Sequence, residues 1–372
     1  MAKTKMDVKK RNILIVSGVL VLAILYFAIT YLIPMHISDK PLVLPADTIS
    51  DHDIAIVNNE LVTVNSKGVM CYDQKGNYQW DCSLQTAAPF MDLSDEYVVV
   101  ADTENAEINI LKDGALYKTL EENADVIGID VNKDGYIAVV TGEPGYRSVV
   151  KVYNPYGNCV YEWYSGSMYA TALALSQNNK YLAVAGLNPD AEDIESSLLF
   201  FDLGKEKPVG EAALKGSVAY KIIFDKKNAY ILTDKGVYKY NKNGKLSSSY
   251  DFMGRNLHAF SFNDKKEIAV ALSRSDASGS MLSGSEILIL KSNLSVKGRE
   301  DVEFEVSSMD MHDGFVAAAG LRNVCILRAG GSLKARGELQ SDCDSIKLFN
   351  NGKSFATLSD SVIGLYSVDV GF

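Results

Sequence analysis

The sequence has 372 residues, 47% of them hydrophobic and 23% charged, so it can build a full-sized core and does not have the composition of a disordered chain. Its formal net charge is −10, and because residues 1–12 are basic, the remainder is more acidic still. An acidic body repels phosphate backbones and anionic lipid headgroups, which excludes nucleic acid as a partner. The five cysteines are scattered and form no C-x-x-C pair, so neither a redox couple nor a zinc knuckle is indicated.

The N-terminal region predicts a membrane anchor. Residues 1–12 are a basic tail, and residues 13–35 are an uncharged apolar run of 23 residues, where about 20 suffice to cross a bilayer as a helix. A cleaved signal peptide is the alternative, but its apolar core is shorter, about 7 to 15 residues, and ends at a small-x-small site that the next residues do not offer. We therefore predict one retained transmembrane helix. The positive charges before it place the N terminus in the cytoplasm and the following domain outside the cell membrane.

Beyond a linker over residues 36–52, residues 53–372 contain eight copies of a short apolar strand. The copies begin at Leu61, Val98, Ile137, Leu182, Tyr230, Ile268, Val316 and Phe355. An alternating strand and a polar turn precede most copies, and a third strand with a glycine or asparagine turn follows. The period of roughly 40 residues suits a blade of four antiparallel strands. The sequence therefore predicts an all-β extracytoplasmic domain, a single β-propeller with eight blades preferred over seven.

The last repeat stops before a fourth strand. After Leu365 and Tyr366 only six residues remain, and an open sheet edge promotes aggregation. We therefore expect a segment within Lys40–Ile56, just after the anchor, to supply the missing strand and close the ring.

Two repeats carry a tryptophan after a glycine turn. Residues 71–80 read CYDQKGNYQW, and residues 152–157, VYNPYG, lead to Trp163. Both segments resemble the tryptophan-docking repeats of quinoprotein-type propellers, and the first two strands of each repeat are similar to those of WD-repeat propellers. The whole layout also resembles a family of membrane-anchored propellers from Gram-positive anaerobes. Quinoprotein dehydrogenases carry adjacent cysteines and a calcium site at their cofactor pocket, and this sequence has neither, so no cofactor is expected.

The sequence contains no strong catalytic or metal-binding motif. Asp130 to Gly135 opens like a calcium loop, but Thr141 stands at the twelfth position, where a bidentate carboxylate is required, so we interpret the segment as a hairpin turn. The sequence has no G-x-S-x-G, H-E-x-x-H or phosphate-binding glycine loop. We expect neither a metal site nor an enzyme. The aromatic-rich segment 146–169 is a candidate sugar platform, although aromatic residues at such positions more often fill the space between blades.

Three repeats carry insertions between their second and third strands, at residues 142–147, 186–197 and 273–285. In an antiparallel four-stranded blade these connections emerge on one side, and long loops on one face commonly mark the binding surface. The second insertion is acidic, and the third has the composition of a flexible loop. The candidate contact residues are Glu143, Tyr146, Arg147, Asn188, Asp190, Glu192, Asp193, Glu195, Arg274 and Asp276.

Together these features favour a membrane-tethered propeller that binds or scaffolds a protein partner at the bacterial cell surface. The alternative is an extracytoplasmic enzyme or carbohydrate-binding protein that acts on cell-wall glycan through the funnel of the propeller.

Overall fold

The structure, a computed structural model, describes residues 15–23, 34–44, 53–94, 96–275, 281–312, 314–359 and 362–369. Residues 15–23 are helical, and all other regular elements in these ranges are strands. No helix among the described residues is long and apolar enough to cross a membrane. Of the predicted span, residues 13–14 and 24–33 lie outside the described residues, and Met35, its last residue, lies in a strand.

The strands form eight antiparallel blades, preceded by two short N-terminal strands. The N-terminal strands are β1 (Met35–Ile37) and β2 (Leu42–Leu44). Blade 1 consists of β3 (Asp53–Val57), β4 (Glu60–Asn65), β5 (Gly68–Tyr72) and β6 (Tyr78–Ser83). Blade 2 consists of β7 (Pro89–Ser94), β8 (Tyr97–Asp102), β9 (Glu107–Lys112) and β10 (Ala115–Glu121). Blade 3 consists of β11 (Val126–Val131), β12 (Ile137–Thr141), β13 (Ser148–Tyr153) and β14 (Cys159–Ser165).

The same meander continues through the second half of the chain. Blade 4 consists of β15 (Tyr169–Leu175), β16 (Tyr181–Leu187), β17 (Glu195–Asp202) and β18 (Gly210–Lys215). Blade 5 consists of β19 (Ala219–Phe224), β20 (Asn228–Thr233), β21 (Gly236–Asn241) and β22 (Leu246–Asp251). Blade 6 consists of β23 (Leu257–Phe262), β24 (Ile268–Ser275), β25 (Met281–Leu290) and β26 (Val296–Val302). Blade 7 consists of β27 (Ser308–His312), β28 (Phe315–Ala319), β29 (Asn323–Arg328) and β30 (Leu333–Glu338). Blade 8 contains β31 (Ser345–Leu348), β32 (Ser354–Ser359) and β33 (Val362–Asp369).

Each of the eight predicted apolar copies lies in the second strand of a blade, so the prediction of an all-β propeller is confirmed. The second strands are buried along nearly their whole length, as in β12 and β8, where every residue is buried. Both faces of these strands are covered because neighbouring blades stack face to face. Except between blades 5 and 6, the first strands of successive blades contact one another around the axis, and β3 contacts β31, which closes the ring.

Strand β2 supplies the fourth strand of blade 8, as expected from the early end of the last repeat. It pairs antiparallel with β33, placing Leu42 opposite Leu365 and Leu44 opposite Ile363. Leu44 is only 3% exposed and packs with Ile54 of blade 1. The ring is therefore closed by a strand from the N-terminal side, and its last blade has no missing strand.

Strand β1, where the predicted anchor meets the predicted linker, joins blades 7 and 8. It pairs parallel with β30, with Met35 opposite Ala335, and antiparallel with the end of β33, with Ile37 opposite Val368. Blades 7 and 8 thereby become one continuous sheet. Ile37 is 1% exposed and lies in the apolar cluster between these blades. Within residues 36–52, predicted as a linker and possible ring-closing strand, Ile37 and Leu44 are buried in the propeller, whereas His36, Leu42 and Val43 are exposed. Residues 45–52 lie outside the described residues.

Polar side chains connect the first strands of neighbouring blades. Asp92 accepts a hydrogen bond from the backbone N–H of Val131 at 2.7 Å, and Asp130 accepts one from Leu175 at 2.7 Å. Asp310 does the same for the N–H of Leu348, at 2.8 Å. These carboxylates hold blades 2, 3 and 7 in register with the blade that follows each of them. Burial and the negative charge of Asp92 raise the pKa of Asp130 to about 7.

The tryptophan-docking interpretation is consistent with the contacts between blades. Gly114, in the turn between β9 and β10, adopts a φ of +76°, and a Cβ added there would lie 2.8 Å from the ring of Trp80 in blade 1. Trp163 of blade 3 packs against Phe201 of blade 4, with ring centroids 5.2 Å apart. Each indole therefore fills the space between its own blade and the following one.

Candidate binding face

One face of the disc carries the connections between the second and third strands of each blade and the connections from one blade to the next; we call it the loop face. Arg147 shows that the two sets of connections lie together. Its guanidinium Nη2 donates to Asp190 Oδ2 of blade 4 at 2.8 Å, and its Nε donates to the carbonyl oxygen of Gly166, between blades 3 and 4, at 3.2 Å. Two of the three predicted insertions thus meet through an ion pair.

Aromatic side chains surround Arg147 on the loop face. The guanidinium lies 5.3 Å from the ring centroid of Tyr169, and the rings of Tyr146 and Tyr164 are 4.9 Å apart. These three tyrosines are 43% to 50% exposed. By contrast, Tyr153 and Tyr161 from the same segment are buried. The aromatic-rich segment therefore contains residues that pack between blades, as expected, an exposed group on the loop face, and Tyr156, which is exposed in the turn between β13 and β14.

Four consecutive blades carry a β-bulge at the start of their first strand. The pairing register shifts between Val126 and Gly128, between Ala170 and Ala172, between Ala219 and Lys221, and between Leu257 and Ala259. The extra residues are Ile127, Thr171, Tyr220 and His258. Because the first strands surround the axis, these residues lie at the rim of the central channel on the loop face. Ile127 is 54% exposed and Tyr220 48% exposed, and a bulge commonly redirects a side chain next to a functional site.

Buried serines hold the bulged segments in place. Ser148 Oγ accepts the backbone N–H of Ala170 at 2.8 Å, and Ser196 Oγ accepts that of Ala219 at 2.8 Å. Both serines lie at or near the start of a third strand and are no more than 1% exposed. Sequence analysis missed these serines and the bulges; the recurrence of serine at the start of third strands is the signal that could have indicated them.

Beneath the loop face, Glu143 belongs to a buried ionic cluster. Lys151 Nζ lies 2.7 Å from carboxylate oxygens of both Glu122 and Glu143, and its side chain is 7% exposed. Tyr153 Oη donates to Glu122 at 2.6 Å. Burial opposes the charge on Lys151, but the two carboxylate hydrogen bonds prevail and raise its pKa above the usual value. Glu143 therefore fixes the first insertion to the body of blade 3.

The loop face is acidic. Among the described residues of its connections, ten carboxylates lie outside this buried cluster: Glu104, Asp125, Asp190, Glu192, Asp193, Asp234, Glu303, Glu305, Asp342 and Asp344. The cationic residues of the same connections number five: Lys67, Arg147, Lys235, Arg255 and Arg322. The acidic insertion in blade 4 is thus one part of a wider negative surface.

The remaining predicted contact residues of blade 4 lie on the same face. Asn188 accepts the backbone N–H of Asp190 at 3.0 Å, which shapes the turn. Glu192 and Asp193 are exposed. Glu195 is half-buried at the start of β17, where it pairs with Lys215. The exposed carboxylates of this insertion are therefore available to a partner.

The third insertion differs from the expected flexible loop. Strands β24 and β25 extend into it and pair Arg274 with Leu282, and Ser275 with Met281. Arg274 donates from Nη1 to the carbonyl oxygen of Ser283 at 3.0 Å. The Ser/Gly-rich composition did not prevent pairing because the long hairpin satisfies the backbone hydrogen bonds. Asp276 lies outside the described residues.

The calcium-like segment forms the predicted hairpin turn between β11 and β12. Asn132 Oδ1 accepts the backbone N–H groups of Asp134 and Tyr136, each at 3.1 Å, and Gly135 adopts a φ of +76°. In the part of the chain that the structure describes, no group of three His, Cys, Asp or Glu residues could hold a metal ion. All five cysteines are free; Cys71, Cys325 and Cys343 are buried, as expected for small apolar residues, whereas Cys159 is exposed.

The chain belongs to the Family of unknown function (DUF5711), whose profile matches residues 45–363. No curated protein matches the sequence. Among solved structures, the C-terminal WD40 domain of Sif2 is similar with a TM-score of 0.67 and 10% identity, covering 90% of this chain and 99% of that one. BamB from Moraxella catarrhalis is similar with a TM-score of 0.56 and 12% identity, again covering 90% and 99%. Raptor from Chaetomium thermophilum is similar with a TM-score of 0.52 and 15% identity, and the match covers 77% of this chain and 29% of that chain. At such identities these similarities show the fold alone, a propeller of the WD40 and BamB-like kind.

Proposed function

We propose that this chain is a membrane-tethered propeller that binds a cationic segment of a partner protein on its loop face, outside the cytoplasm. The observation that carries the proposal is the combination of ten carboxylates against five cations on that face, outside the buried cluster, with the exposed tyrosines Tyr146, Tyr164, Tyr169 and Tyr220. Aromatic side chains supply contact area, and charge complementarity selects the partner and speeds its approach.

The tether and the location rest on the uncharged run over residues 13–35 and the basic tail before it. The host that the family resemblance implies, a Gram-positive anaerobe, belongs to the same proposal. In such a cell the propeller would gather its partner at the outer surface of the membrane.

In-cell photo-cross-linking tests the binding face. A photoreactive residue in place of Tyr220, 48% exposed at the rim, should capture a specific protein, and the same residue in place of Tyr156 should not. Tyr156 is the matched control because it is 70% exposed in the turn between β13 and β14, on the opposite face. Capture of one protein equally from both positions would refute the assignment of the face.

Charge reversal tests the chemistry of the partner. Glu192→Lys on the loop face should weaken binding of the captured protein several-fold at low salt, because it replaces an attractive charge by a repulsive one. Glu206→Lys, between β17 and β18 on the opposite face, makes the same change in net charge and should leave binding unaltered. Equal effects of both substitutions would contradict recognition by local charge.

A cell-wall glycan is the second candidate ligand, because Tyr146, Tyr164 and Tyr169 form an exposed aromatic group on the loop face. Sugar rings stack on such surfaces through their apolar faces. Sedimentation of the chain with purified peptidoglycan, lost in Tyr169→Ala, would favour glycan over protein. Tyr156→Ala serves as the control.

A further inference from the structure

The opposite face of the disc has the opposite charge. It carries the turns between first and second strands and between third and fourth strands, and we call it the turn face. Hydrogen bonds show that these turns lie together: the N–H of Asn350 donates to Asn59 Oδ1 at 3.0 Å, and Asn351 Nδ2 donates to Gln74 Oε1 at 3.1 Å. Both bonds join turns of blade 8 to turns of blade 1.

Lysine dominates the turn face. The described residues of its turns include thirteen lysines: Lys75, Lys133, Lys180, Lys205, Lys207, Lys226, Lys227, Lys242, Lys245, Lys265, Lys266, Lys291 and Lys353. They include eight carboxylates: Asp73, Glu96, Asp113, Asp134, Glu206, Asp225, Asp264 and Glu267. Two more acidic residues of these turns, Asp95 and Asp313, lie outside the described residues. The acidic net charge of the domain is therefore concentrated on the loop face.

Strand β1 enters the propeller from the turn face. It runs parallel to β30, and Met35 pairs with Ala335 before His36 pairs with Arg336. Strand β30 begins after the turn over residues 329–332, on the turn face, and ends at the connection over residues 339–344, on the loop face. Strand β1 therefore runs from the lysine-rich side of the disc towards the acidic side.

We propose that the turn face rests on anionic lipid headgroups and that the loop face points away from the membrane. This orientation depends on the tether of the proposed function, because the anchor confines the disc close to the bilayer. Lysines near an anionic membrane surface are attracted to it within a Debye length. The expectation that the acidic body repels such headgroups holds for the loop face only, since the charges are segregated.

Lysine footprinting of the full chain in nanodiscs tests the orientation. Lys226 and Lys227, both exposed on the turn face, should be acetylated at least about threefold more slowly in discs of equal phosphatidylglycerol and phosphatidylcholine than in phosphatidylcholine alone. The difference should vanish near 0.5 M salt, where the Debye length falls to about 4 Å. Lys67 and Lys235, exposed on the loop face, are internal controls and should not change. Equal rates in both lipids, or protection of the loop-face lysines, would overturn the proposal.

Two matched double variants test whether the charge of the turn-face lysines, and not only their closeness to the membrane, causes the protection. Lys226→Glu with Lys227→Glu should abolish the lipid-dependent protection of Lys245 and Lys265, which share the turn face. Lys67→Glu with Lys235→Glu makes the same change in net charge and should retain it. Protection that survives the first pair would refute a charge-based contact.

Size-exclusion chromatography shows whether the chain stays with the nanodiscs, and so tests the tether separately from the orientation of the disc. Separation of chain and disc would overturn the tether, and the orientation with it. Retention with unprotected turn-face lysines would overturn the orientation alone and leave partner binding at the loop face standing.

Discussion

Closure of the ring by β2 makes a quantitative prediction. Leu44 is 3% exposed and packs with Ile54, Leu61 and Leu365, so Leu44→Ala removes buried apolar atoms from the junction of blades 8 and 1. Substitutions of buried leucine by alanine cost about 2–5 kcal/mol, depending on how far the site collapses. Because β2 has three residues at the outer edge of its blade, it can move inward, and we expect the lower part of this range, about 2–3 kcal/mol.

The assay is thermal unfolding of the full chain in detergent. Unfolding entropy is roughly 2 cal/mol/K per residue, so for about 320 residues of propeller the loss of stability lowers Tm by about 4 °C. The control is Val43→Ala, since Val43 lies in the same strand but is 55% exposed, and it should shift Tm by less than about 1 °C. Equal shifts for both variants, or an unchanged Tm for Leu44→Ala, would show that β2 does not occupy the edge of blade 8.

Three further substitutions probe contacts elsewhere in the ring. Gly114→Ala should destabilise the protein by roughly 2 kcal/mol more than Gly145→Ala in urea unfolding: both glycines have positive φ, but only at Gly114 would the new Cβ meet the ring of Trp80. Asp130→Asn should reduce a fall in unfolding free energy between about pH 4 and pH 7, because the folded state keeps its proton until the raised pKa of about 7 while the unfolded state loses it near 3.8. Burial also raises the pKa of Asp92, which retains part of the slope. Lys334→Met should be more stable than the parent at neutral pH, because burial and the charges of neighbouring cations lower the pKa of Lys334 to about 8. The difference in unfolding free energy between variant and parent should narrow between pH 8 and 10.5. In that range the unfolded parent binds a proton that the folded parent has lost, so the parent gains stability as the pH rises.

Each of these substitutions has a contradicting outcome. Equal losses of unfolding free energy for Gly114→Ala and Gly145→Ala would show that the indole of Trp80 does not dock on the turn of blade 2. An unchanged pH slope in Asp130→Asn would assign the whole titration to other groups. A constant stability difference across the alkaline range for Lys334→Met would mean that the ammonium is solvated and not buried against Phe315, over whose ring centroid it lies at 4.1 Å.

The repeated local pattern could be read from the sequence alone. Each second strand is a continuous apolar run bounded by polar turns, and that pattern depends on neighbouring residues only, so the eight copies and the all-β propeller could be recognised without a structure. The early end of the last repeat also predicted a closing strand, because an unpaired sheet edge is unfavourable wherever the missing strand comes from. The insertions of blades 3 and 4 could be assigned to one face from the sequence, because the antiparallel order of the strands determines on which side each connection emerges.

Tertiary structure alone decided what depends on residues distant in sequence. Met35 and Ile37 continue an apolar run that resembles a membrane span, and only the groove between blades 7 and 8 makes them a strand. The bulges at Thr171 and Tyr220 follow from hydrogen bonds to neighbouring blades, not from their own residue types. The separation of charge between the two faces is invisible in the net charge, because acidic and basic turns alternate along the chain and are sorted by side only when the strands reverse direction.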